Sequence, residues 1–151
     1  MAQKRATFTP ANSDELQEKF INCMMQRGKK STSRSILKNT LQILKEKGHK
    51  KPQEFFHLAI KNVSPQVEVR PKRIGGSIYQ IPVEVKPYRQ NTLAIRWIIN
   101  AAKARKGIKM AQKLALELID AVNESGEAFK KRDNVHKMAQ ANRAFAHLAN
   151  F

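Results

Sequence analysis

The stretch Val-Glu-Val-Arg-Pro-Lys-Arg-Ile-Gly-Gly-Ser-Ile-Tyr-Gln-Ile-Pro-Val-Glu-Val, residues 67–85, interrupts a chain that otherwise reads as helix. Val67 and Val69 alternate with Glu68 and Arg70, while Tyr79, Ile81, Val83 and Val85 alternate with Gln80, Pro82 and Glu84. A period of two marks half-buried strands. Gly75 and Gly76 fall between the two runs, where a tight reversal requires residues that tolerate positive φ. Pro71 and Pro82 lack the N–H that an interior strand donates, so the arms form a hairpin outside any larger sheet. Such a hairpin is marginal by itself in water. Arg70, Lys72 and Arg73 on its first arm imply an anionic surface for it to lie on.

Outward from the hairpin, the apolar residues recur at helical spacing. Asn12 or Ser13 caps a first helix, with Asp14 and Glu15 in its first turn and Leu16, Phe20, Ile21 and Met24 inside, up to Gly28. A second carries Ile36, Leu37, Leu41, Ile43 and Leu44 and ends at Gly48. A third starts at Pro52 and buries Phe55, Phe56, Ala59, Ile60 and Val63. After the hairpin, Pro87 opens a fourth helix over about 88–106. Arg89, Arg96 and Lys103, each seven apart, form one ridge of cations beside an apolar arc that includes Trp97. A fifth spans about 110–124, and a last runs from about 127 to 147 with Val135, Met138 and Phe145 on its apolar face. The expected fold is mainly α: a six-helix bundle with one protruding β-hairpin inserted between helices three and four. Residues 1–12 read as a basic flexible arm and 13–151 as a single helical RNA-binding domain.

Charge supplies the functional class. The 151 residues hold 29 Lys and Arg against 12 Asp and Glu, a net +17, and self-repulsion on that scale disfavours compaction unless a polyanion absorbs it. No acid occurs between Glu18 and Glu46, or between Glu84 and Glu117, so the excess is segregated. Lys29-Lys30 and Lys130-Lys131-Arg132 add clusters at helix ends. Aromatic residues are sparse beside these cations, so base stacking is not the main mode. The expected target is folded RNA recognised by shape and backbone.

Catalysis finds no support in the residues. His49, His57, His136 and His147 share no metal-ligand spacing with each other or with Cys23, and no nucleophile elbow or phosphate-cradling glycine loop occurs. Glu117 and Asp120 read as a solvated, ion-paired helix face. The lone Cys23 excludes an internal disulfide and fits a small core residue. No apolar run approaches a membrane span. The expectation is no enzyme, no metal and no cofactor.

Residues 70–85, Leu-Ala-Ile-Arg-Trp-Ile-Ile at 93–99 and His-Lys-Met-Ala-Gln-Ala-Asn-Arg-Ala-Phe-Ala-His at 136–147 resemble the small-subunit ribosomal protein seven family, bacterial and organellar branch. Phe-Ile-Asn at 20–22 and Gly-Lys-Lys-Ser-Thr at 28–32 match as well, and the resemblance spans roughly residues 16–148. It implies early binding to the 3′ major domain of small-subunit ribosomal RNA and organisation of the junction that becomes the head. It also implies a hairpin and last helix near the exit site, close to messenger and transfer RNA, with neighbouring head and platform proteins as further partners. Carried over, Arg70, Lys72, Arg73, Gly75 and Gly76 form the ribbon surface. Arg89, Arg96, Arg105 and Lys106 meet ribosomal RNA, Lys29 and Lys30 form the basic turn, and His136, Asn142 and Arg143 belong to the terminal-helix surface. Autoregulation through the chain's own messenger is the alternative role, and a DNA-compacting protein is a third that lacks base-reading Asn or Gln beside Arg on a recognition helix. The short arm, Arg89-Gln90 in place of a paired arginine, and the ending Leu-Ala-Asn-Phe depart from the family pattern. They point to an organelle, a mitochondrion by preference, over a bacterial cytoplasm.

Overall fold

A computed structural model describes residues 14–150. The order is α1 (Glu15–Met24), α2 (Lys30–Glu46), α3 (Pro52–Val63), β1 (Val67–Ile74), β2 (Ser77–Glu84), α4 (Pro87–Ala104), α5 (Met110–Val122), α6 (Gly126–Ala141), then a 3-10 segment (Arg143–Asn150). The mainly helical class and the hairpin between the third and fourth helices stand as expected. The expected arm, together with Asn12 and Ser13, lies outside the described residues. Asp14 is the residue before α1, and its carboxylate meets His57 Nε2 on α3 at 2.7 Å, leaving the α1 amides without a side-chain cap.

α4 is the central helix, touching α1, α3, α5 and α6. Its small and β-branched residues Ala94, Ile95, Ile98, Ile99 and Ala102 are all buried, which lets four helices close around it. Phe20 of α1 and Phe56 of α3 meet edge to face at 5.2 Å in the same core, with Leu114 and Leu118 of α5 also fully enclosed. Trp97 and Cys23 pack against this core from half-buried positions.

The last helix differs from the expectation of one helix to residue 147. α6 ends at Ala141; Asn142 follows, its Nδ2 donating to Met138 O at 2.8 Å, and the chain tightens into the 3-10 segment. That change of pitch brings Phe145 to the hairpin, where its ring lies 5.4 Å from Tyr79. Met138, expected on the apolar face, is 48% exposed.

Candidate nucleic-acid interface

The hairpin closes on a two-residue turn, with Ile74 opposite Ser77 and both Gly75 (φ +56°) and Gly76 (φ +88°) left-handed. That is the primed turn whose twist matches the strands it joins. Its register has a consequence for every side chain. Residues directly opposite share a face, so Glu68, Arg70 and Lys72 lie with Val83, Ile81 and Tyr79. Val67, Val69 and Arg73 lie with Glu84, Pro82 and Ile78. The apolar sets of the two arms therefore fall on opposite faces and do not form the single apolar face that their alternation implies. Arg73 also faces away from Arg70 and Lys72.

Glu68 explains how the mixed face stays folded. It is 8% exposed, and a buried carboxylate is costly unless paired. Arg89 Nε of α4 donates to its two oxygens at 2.8 and 3.0 Å, and Arg70 pairs with it from the same strand. The hairpin base is thus fastened to the start of α4 by the Glu68 carboxylate and the Arg89 guanidinium, with Arg70 of the same strand sharing that carboxylate. In sequence, Arg70 and Arg89 look like RNA contacts and Glu68 does not stand out; the one signal for it is an acid alternating with cations on the strand. At the far side of the ribbon Lys72 Nζ reaches Leu148 O at 3.4 Å.

The α4 ridge is consequently uneven. Arg89 is partly neutralised by Glu68, whereas Arg96 and Lys103 are exposed, with no acidic partner among the described residues. Arg105, just past the end of α4, turns inward. Its Nε and Nη2 donate to Glu117 Oε2 at 3.0 and 2.6 Å, and it also pairs with Asp120. Burial acts to lower the Arg105 pKa, but hydrogen bonds and charge from Glu117 and Asp120 outweigh it and hold the pKa above its ordinary value. Glu117 is fully buried, not solvated as expected, and its Oε1 accepts the Ala128 N–H of α6 at 3.0 Å. This cluster ties α4, α5 and α6 together. Lys106 beside it is exposed.

The basic turn before α2 divides similarly. Lys30 and Arg34 both pair with buried Glu18 of α1, at 3.1 and 3.2 Å, while Lys29 is exposed and lines a groove shared with Lys103. Fold closure therefore brings cations from two distant sequence segments to one groove. On α6, Lys130 makes an exposed pair with Glu127 at 2.8 Å, a contact of small energetic weight. Arg132 stacks over Phe129 at 4.0 Å and donates Nη1 to Asn62 O at 2.6 Å, joining α6 to α3. Lys131 and Arg143 are exposed. His136 Nε2 accepts the Gln66 N–H at 3.2 Å, just ahead of β1. Burial lowers its pKa, Arg132 lowers it further, and Asp133 opposes both.

Few aromatic platforms are open for stacking. Tyr79 meets Phe145, Trp97 packs on the core, and Tyr88, though exposed, carries Lys19 Nζ 3.6 Å above its ring. Among the described residues no group of three His, Cys, Asp or Glu is placed to hold a metal ion. No helix among them is long and apolar enough to cross a membrane.

A closed helical core bearing a two-stranded ribbon, with several outward cations that have no acidic partner among the described residues, defines a class of basic scaffold proteins. The chain matches the family model of ribosomal protein S7p/S5e over residues 1–143. It is 52% identical over 139 residues to the small ribosomal subunit protein uS7 of Thermosipho melanesiensis, covering 92% of this chain and 90% of that one. It is 49% identical over 138 residues to uS7 of Thermomicrobium roseum, covering 91% and 88%. It is 48% identical over 147 residues to uS7 of Colwellia psychrerythraea, covering 97% and 94%. The chain belongs to the ribosomal protein S7p/S5e family. Membership in this structural, non-enzymatic family bears out both the resemblance and the expectation of no enzyme. These three relatives are bacterial, so the organellar reading of the departures finds no support.

Proposed function

We propose that this chain binds the 3′ major domain of small-subunit ribosomal RNA and organises the junction from which the head is built. In this reading the hairpin and α6 stand beside the exit site, near messenger and transfer RNA. One observation carries it: Lys29, Arg73, Arg96, Lys106, Lys131 and Arg143 are exposed on the hairpin, the helices and the turns between them, with no acidic partner among the described residues. Cations held in place by ordered elements suit backbone phosphates, which position a protein without reading sequence. The engaged aromatic rings favour recognition of folded RNA by shape over stacking on single strands.

Most of the remaining predicted residues divide by role. Lys30, Arg70, Arg89, Arg105 and Arg132 brace the frame through protein partners, and the exposed sides of Arg70 and Arg89 stay within reach of a phosphate. Gly75 and Gly76 shape the tip, while His136 and Asn142 set where α6 meets the hairpin and where it ends.

Binding of the full chain to separate transcripts of the small-subunit RNA domains tests this. The 3′ major domain should be preferred. With six to ten phosphate contacts, affinity should fall by ~10³–10⁵ between 50 and 200 mM salt. Equal affinity for all domains, or a flat salt dependence, would refute the proposal.

A further inference from the structure

The segment after α6 lies on the hairpin with few buried groups. Arg143, Ala144, Phe145, Ala146 and His147 are exposed and Leu148 is half-buried, in a 3-10 turn whose hydrogen bonds are poorer in geometry than those of an α-helix. It meets the ribbon through the Phe145 ring, 5.4 Å from that of Tyr79 and tilted by 56°. The Leu148 carbonyl also accepts from Lys72 Nζ at 3.4 Å, longer than usual. An element with so little buried apolar surface opens locally at small cost. Charge adds to this. Residues 143–151 include Arg143 and His147 and no acid, beside a ribbon that carries Arg70, Lys72 and Arg73. Like charges facing one another weaken a contact.

What the segment covers is specific. The register sets Lys72 opposite Tyr79, on one face of the ribbon. Both are half-buried, whereas Pro71, Arg73, Ile78 and Gln80 on the other face are exposed. The covered face thus joins an aromatic ring to an ammonium group. Single-stranded nucleic acid uses that combination, a base stacking on the ring while its phosphate meets the cation. Phe145 and Leu148 occupy those two places, ring on ring and carbonyl on ammonium. A nucleotide replaces each in kind, and its phosphate brings a full negative charge where the carbonyl brings only a dipole.

We propose that the 3-10 segment is an autoinhibitory cover. Closed, it withholds Tyr79 from RNA; opened at Asn142, where α6 ends, it releases a stacking site for one unpaired nucleotide. This rests on the reading of the chain as an RNA binder and adds a conditional mode to it. Folded RNA meets the cations outside the cover in either state, while an unpaired base requires the open one.

The test uses the full chain, a short fluorescein-labelled oligouridylate as probe and a transcript of the 3′ major domain as control. Phe145→Ala removes the covering ring from an exposed position. It should tighten oligouridylate binding by ~2–12-fold, the factor that one aromatic pair contributes. Adding Tyr79→Leu should abolish that gain. In the wild type, amides of residues 143–148 should exchange faster than those of α6 and β2, and saturating oligouridylate should speed them further. Unchanged or weaker oligouridylate binding by Phe145→Ala, a gain that survives the loss of Tyr79, or protection of residues 143–148 by the bound probe would each overturn the cover. With transcript binding intact, such results leave the RNA-binding reading standing. If the wild type ignores the transcript too, both fall.

Discussion

Arg89 Nε on α4 donates to both carboxylate oxygens of Glu68 on β1, and this places the one buried acid of the hairpin beneath a cation that lies 21 residues further along the chain. The same carboxylate holds Arg70, so the ribbon's orientation depends on a charge cluster at its base. Glu68→Gln keeps the shape but removes the charge that both guanidinium groups face. It should destabilise the protein by about 1–3 kcal/mol, the range for leaving buried polar partners unsatisfied. Amide exchange should accelerate chiefly in β1, β2 and the first turn of α4. Uniform acceleration across the chain would instead mean that Glu68 supports the whole core.

The register separates Arg73 from Arg70. Arg73→Ala should reduce the salt slope of RNA binding by one phosphate contact, on the order of 0.7–0.9. Arg70→Ala should reduce it less, because Glu68 already offsets that charge. Comparing the two slopes decides the matter, and equal losses would show that both hairpin faces touch RNA alike.

Gly126 combines a φ of +85° with a crowded neighbourhood: a Cβ there would lie 2.9 Å from Asp120 Cβ and 3.1 Å from Glu117 Oε1. Gly107 has a similar φ of +83° and nothing within 4 Å. Gly107→Ala should therefore incur backbone strain alone, about 1 kcal/mol, and Gly126→Ala more, about 2–3 kcal/mol. Urea unfolding of the pair checks the difference; equal midpoints would mean that α6 shifts freely at its start.

Glu117→Gln should be the most damaging of these substitutions. It leaves Arg105 facing Asp120 alone at a site where Glu117 is fully enclosed. Removing one partner of a buried pair typically costs about 3–5 kcal/mol. Thermal unfolding of Glu117→Gln beside Glu127→Gln, an exposed pair member, provides the contrast. A similar shift for both would contradict the role given to the α4–α5–α6 cluster.

His136 should couple stability to pH. Neutral imidazole accepts the Gln66 N–H, and burial, then Arg132, hold its pKa below the ordinary 6.5 while Asp133 opposes. Between the folded and unfolded values the unfolded chain binds more protons, so stability rises with pH there. The contribution is fully present above about 6.5 and is lost as pH falls through the folded value. Urea midpoints of the wild type and His136→Gln, followed from pH 8 to 5, should converge toward the acid end. Parallel curves would remove His136 from the account.

Local signals legible in the chain determined much of this protein. Period-two alternation with a glycine pair marked the hairpin, prolines at 52 and 87 marked two helix starts, and segregated lysines and arginines marked the surface chemistry. Such features depend on neighbours in sequence, so no folded coordinates are needed to read them. The tertiary structure alone decided which cations remain available. Arg89 and Arg105 look alike in sequence, yet Glu68 and Glu117 engage them from 21 and 12 residues away, because a carboxylate enclosed by packing must find a guanidinium within reach. The end of α6 was decided there too. Its apolar residues continue past Asn142, but the ring of Tyr79 on the hairpin offers Phe145 a contact that an unbroken helix has no reason to make.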